Sequence, residues 1–138
     1  MEKATHAGGL VFRVSNGNLQ FLIVTATDDN DTWVLPKGHI ETDEIDVVAA
    51  CREVQEEAGV SASVVDHLGD LEFVRNDESV YARMFLMGLL YESSAGGENR
   101  GVKWLFYKQA LKHLTHEDAC SPRFLPQARS KMTRVSFC

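Results

Sequence analysis

Three glutamates, Glu53, Glu56 and Glu57, stand at i, i+3 and i+4, directly after Arg52. On a helix, at about 100° per residue, this spacing puts all three carboxylates on one face. Like charges so placed repel by about 0.2–0.5 kcal/mol per pair. Arg52, four residues before Glu56, can offset one of them but not three. The partner such a cluster asks for is a hard divalent cation. Mg²⁺ takes oxygen ligands, keeps several waters and is shared between one or two carboxylates and the phosphates of a substrate. Zn²⁺ fits this cluster poorly, since it offers neither thiolate nor imidazole.

The element that must carry these acids is a helix beginning after Thr42. Val47, Ala50, Cys51, Val54 and Ala58 form its core-facing stripe, with the acids on the other side. Thr42 or Asp43 is the expected N-cap, and Gly59 suits a left-handed C-terminal cap. Glu44 opens the helix, where the dipole favours an anion. Pro36-Lys37-Gly38 leads in. Gly38 allows a close backbone approach, and Lys37 and His39 are candidates for phosphate contact.

From Gly38 to Val60 the pattern is G, five residues, E, seven residues, then R-E-(aliphatic)-x-E-E-x-G-(aliphatic). This segment resembles the signature box of the Nudix hydrolases, which cut the diphosphate bond of nucleoside diphosphates linked to another group. The resemblance runs through nearly the whole chain, from Ala7-Gly8-Gly9 to Val102-Lys103-Trp104. It implies an α/β fold, the Nudix α/β/α sandwich with a mixed β-sheet. It also implies Mg²⁺ as cofactor, with Mn²⁺ able to substitute. Glu53, Glu56, Glu57 and the Gly38 carbonyl are its implied ligands, Glu44 supports them, and Arg52 belongs to the catalytic set. Nudix members often carry one more functional glutamate ahead of a late strand, and Glu98, six residues before Trp104, takes that place. It would complete the metal cage or accept the proton of the attacking water, with Glu53 the rival base.

Trp33-Val-Leu-Pro-Lys-Gly-His-Ile-Glu41 with Val102-Lys103-Trp104 looks most like the dinucleoside polyphosphate hydrolases, notably the asymmetric diadenosine tetraphosphate type. Removal of oxidised nucleoside triphosphates, removal of pyrophosphate from RNA 5′ ends and a non-catalytic nucleotide-binding module stay open as other readings. A bound nucleobase needs a stacking surface. Trp33, Phe73, Tyr81 and Phe85 are available, and Tyr81 is the choice because its strand should border the site.

The resemblance implies a nucleotide-type small-molecule substrate. The 138 residues are read as one domain, 1–138, with 44% hydrophobic and 25% charged residues. A net charge of −6 argues against an extensive nucleic-acid surface. No apolar run reaches the length of a membrane span, and the N-terminus lacks the pattern of a signal peptide. Cys51, Cys120 and Cys138 read as free thiols of a reducing, cytoplasmic compartment.

Residues 7–14 and 21–26 are strand-forming and joined by Ser15-Asn-Gly-Asn18, a hairpin signal. Residues 27–31 read as a polar loop and 33–35 as a short strand. After the helix come long strands over 64–74 and 79–91, then a strand over 102–107. A short helix at 109–113 and a last helix from Pro122 follow. Phe124, Leu125, Ala128 and Met132 make one stripe on that last helix. Strands and helices alternating this irregularly predict a mixed sheet between helices.

Overall fold

Strand β1 (His6–Ser15) and strand β2 (Asn18–Ala26) meet at the turn Asn16-Gly17. Both turn residues have positive φ, 51° and 80°, the conformation that matches the twist of a tight hairpin. The structure, a computed structural model, describes residues 3–26, 29–93, 101–114 and 121–132. Strand β3 (Asp29–Val34) pairs antiparallel with β2. It starts earlier than the short strand expected at 33–35, because ladder bonds to β2 extend it into the polar stretch.

Strand β4 (Lys37–His39) is a segment the sequence offered only as a lead into the helix. It pairs antiparallel with β1, His6 opposite His39, Ala7 opposite Gly38 and Gly8 opposite Lys37. Helix α1 (Asp46–Ala58) then begins two to three residues later than the expected caps allow. Its N-cap is Ile45, without a side-chain cap bond. Asp43 is instead spent on a turn, at φ 65°, closed by a Glu44 N–H to Glu41 carbonyl bond of 3.0 Å. Gly59 does end the helix at φ 71°, donating to the Gln55 carbonyl.

Strands β5 (Val60–Arg75) and β6 (Glu78–Glu92) form a long hairpin around Asn76-Asp77. Strand β7 (Val102–Phe106) joins β2, and helices α2 (Tyr107–His113) and α3 (Ser121–Met132) follow. The sheet order is β3-β2-β1-β6-β5, with β4 on β1 and β7 on β2. Since β1 runs parallel to β6 and antiparallel to β2, the sheet is mixed.

Side chains alternate across this sheet and build two cores. Leu10, Phe21, Ile23, Met84 and Leu86 pack against Ala110, Phe124, Leu125 and Ala128 of α2 and α3. Ala7, Val11, Leu22, Val24 and Met87 pack against Ala49, Ala50 and Val54 of α1. The chain is thus the expected α/β/α sandwich. Among the described residues no helix is long and apolar enough to cross a membrane.

Candidate active site

The β4–β1 register decides what α1 faces. It lays Gly38 so close to the helix that a Cβ there would fall inside the Glu53 carboxylate. Glycine is required at 38 for space, and the same closeness puts its backbone beside the acid cluster.

Arg52 organises the rest. Its Nε and Nη2 donate to the two oxygens of Glu44 at 2.8 and 2.9 Å, a bidentate pair. Nη1 donates to Glu53 Oε1 at 2.8 Å and to Glu56 Oε2 at 3.2 Å. Nη2 also donates to the His39 carbonyl at 2.9 Å, which ties the helix to β4. Glu44 in turn accepts the Glu41 N–H at 3.0 Å. The bond to Arg52, then the one from Glu41, lowers the Glu44 pKa from 4.5 to about 2.

The three box acids do not share one environment. Glu56 is exposed, Glu53 is only 13% exposed at its side chain, and Glu57 is 3% exposed overall. The turn between i+3 and i+4 is enough to carry Glu57 over the edge of the solvent face. Its Oε2 is buried and accepts no hydrogen bond among the described residues, although the residue has other interactions. A buried carboxylate oxygen is costly unless its charge is compensated.

All three acids open into a cleft of about 560 Å³. Among the described residues its wall carries five glutamates (Glu41, Glu53, Glu56, Glu57 and Glu78) against two cations, Lys37 and Arg75. Clustered carboxylates are the donor set of a hard divalent cation, so the residues fit Mg²⁺ or Mn²⁺. Cys51, by contrast, is packed against the α1 core, its thiol 3.6 Å from the Ala62 carbonyl and its pKa raised by burial.

Of the residues singled out by sequence, Lys37, Gly38, His39, Glu53, Glu56 and Glu57 line the cleft. Arg52 and Glu44 stand behind them. Tyr81 does not join them. Val80 faces the cleft, so its neighbour Tyr81 points to the opposite face of β6, where its hydroxyl donates to Asp70 at 2.8 Å. Among the described residues a phenyl ring reaches the cleft from Phe73, which pairs across the hairpin with Val80. The Lys37 ammonium lies 5.9 Å from the Phe73 ring centre. Glu98 lies outside the described residues.

Sequence reasoning missed His6, Arg75 and Glu78. Each reaches the cleft by strand pairing: His6 through the β1–β4 register, Arg75 and Glu78 as partners across the β5–β6 turn. No local spacing marks them. His6 is 8% exposed, and burial, then the neighbouring His39, lowers its pKa from 6.5 to about 4.

The geometry now meets what is known of similar proteins. The NUDIX domain model matches residues 4–128. The chain belongs to the Nudix family. The rat bis(5′-nucleosyl)-tetraphosphatase [asymmetrical] is 30% identical over 119 residues, covering 79% of each chain. The m7GpppN-mRNA hydrolase of Saccharomyces cerevisiae is 27% identical over 72% of this chain and 11% of its own length. Among solved structures, a C. elegans Ap4A hydrolase binary complex superposes with a TM-score of 0.79 at 22% identity, covering 96% of this chain and 100% of the other. This Nudix protein is accordingly a hydrolase acting on pyrophosphate bonds.

Proposed function

We propose that the protein is a Mg²⁺-dependent pyrophosphohydrolase that cuts a diphosphate linkage in a nucleoside diphosphate joined to another moiety, with a dinucleoside polyphosphate as substrate. The observation that carries this reading is the charge balance of the cleft among the described residues, five glutamates against Lys37 and Arg75. Polyphosphate binding in such a cleft requires added cations. Similarity to the rat asymmetrical tetraphosphatase supports the substrate.

Glu53, Glu56, Glu57, the Gly38 carbonyl and Glu98 would hold Mg²⁺, with Mn²⁺ able to replace it. When bound, the ion neutralises phosphate charge and lowers the pKa of a coordinated water. Glu53 or Glu98 accepts the proton of the attacking water. Arg52 keeps Glu53 and Glu56 in position without entering the cleft. Lys37, His39 and Arg75 meet the phosphates, and Phe73 gives the base a ring to stack on. The box places no Ser, Cys or Lys beside a base, so water attacks phosphorus directly, in line with the leaving oxygen. In this reading the enzyme works in the reducing cytoplasm, where Cys51 stays a thiol.

The test is hydrolysis of diadenosine tetraphosphate with Mg²⁺ in ¹⁸O water. ATP and AMP should form, with label in one product after a single turnover. Two ADP would reject the asymmetric cut. No cleavage, alongside fast hydrolysis of a nucleoside triphosphate or of a triphosphorylated RNA end, would move the substrate to one of those classes. Full turnover in excess chelator would remove the metal from the reaction.

A further inference from the structure

The cleft holds a second group of donors beside the box glutamates. His6 and His39 face each other across the β1–β4 ladder, with ring centres 4.1 Å apart. His39 Nε2 lies 3.1 Å from Glu78 Oε1. One ligand atom from each of the three residues falls within 4.8 Å of the other two. We propose that His6, His39 and Glu78 form a second metal site, one for a transition-metal ion of the Zn²⁺ class.

The donor set decides the ion. Two imidazoles and one carboxylate suit Zn²⁺ and its borderline neighbours, whereas Mg²⁺ and Ca²⁺ select oxygen. Three protein ligands with one position left to water is the form of an open zinc site. Ligands about 2.0–2.2 Å from a tetrahedral ion stand a little over 3 Å apart, which the His39–Glu78 separation already matches. The remaining gap closes by movement of two exposed side chains, since His39 is 70% and Glu78 56% exposed. Buried His6 is the fixed member.

Backbone and outer contacts agree. The Thr5 hydroxyl sits 2.7 Å from His6 Nδ1. It can accept a hydrogen bond from that nitrogen's N–H while its own O–H donates to the Tyr81 carbonyl, 3.3 Å away. In that tautomer Nε2 carries the lone pair, and Thr5 acts as the outer partner that orients a metal-bound histidine. Lys37 is the cation nearest in sequence, and the five glutamates of the cleft outweigh it and Arg75. An ion here would tie the β5–β6 turn to β1 and β4.

The test titrates the intact metal-free chain with Zn²⁺ by calorimetry and with Co²⁺ by visible absorption, in excess Mg²⁺ to occupy the glutamates and without nucleotide. One ion per chain is expected, with the intense Co²⁺ bands of a four-coordinate nitrogen-containing site. His39→Gln and Glu78→Gln alter exposed residues, and circular dichroism checks their fold. Each should weaken binding by more than about 10²-fold, beyond the 10–100-fold scale of an outer partner. The double variant Glu56→Gln/Glu57→Gln should retain it. Binding unchanged in both His39→Gln and Glu78→Gln, or lost in the glutamate double variant, would overturn the site. Because no substrate is present, that failure would leave pyrophosphate hydrolysis untouched.

Discussion

Arg52 grips Glu44 through two parallel bonds of 2.8 and 2.9 Å, across eight residues and a turn. The pair stands behind the acid cluster and fixes the guanidinium that Glu53 and Glu56 share. Its pH signature follows from the lowered Glu44 pKa. A carboxylate held near 2 when folded and 4.5 when free contributes stability in full above about pH 4.5. That contribution fades as pH falls through about 2. Melting of the metal-free wild type and of Glu44→Gln should differ most near neutrality and converge at acid pH. Activity of the variant should fall by about 10-fold, the scale of an outer partner. A melting gap that does not change with pH would remove the pair from this role.

Gly38→Ala tests the contact between β4 and the helix. The added Cβ cannot coexist with the Glu53 carboxylate in its present place, so that acid or the strand must shift by about 1 Å. Such a displacement costs about 10²-fold in rate. Gly17→Ala is the control, since it meets nothing within 4 Å but sits at φ 80°. It should cost about 1 kcal/mol in stability and leave turnover alone. Equal activity of the two variants would contradict the steric argument.

Glu57→Gln separates charge from shape. The side chain is buried, and the amide keeps its shape while removing its charge. Wild type should gain about 2.7 kcal/mol when Mg²⁺ reaches 100 times its Kd, and the variant should lose most of that gain. Its turnover should drop by about 10²-fold or more, as for other oriented groups in closed sites. An undiminished Mg²⁺ shift would mean that Glu57 is not a ligand.

Phe73 and Tyr81 make opposite predictions. Phe73→Ala should raise KM for a dinucleotide about 10-fold, within the range of one base–aromatic stack. Tyr81→Phe should leave KM unchanged and cost about 1 kcal/mol in stability through the lost bond to Asp70. If Tyr81→Phe raised KM and Phe73→Ala did not, the base would lie on the other face of β6.

The sequence by itself determined whatever is local. The i, i+3, i+4 acids and the Gly59 cap lie on one helix and its end, and helical geometry converts spacing into neighbourhood without help from the rest of the chain. The strands were legible too, with ends displaced by a few residues, because alternation marks a strand while ladder bonds to a neighbour decide its length. Tertiary structure decided what depends on register. It buried Glu57 while leaving Glu56 exposed. It turned Tyr81 away and Phe73 inward, because one step along a strand reverses the face. It also set His6 against His39 and Glu78, residues 33 and 72 positions further along the chain. No local pattern encodes those pairings, which arise only when β1 takes β4 on one edge and β6 on the other.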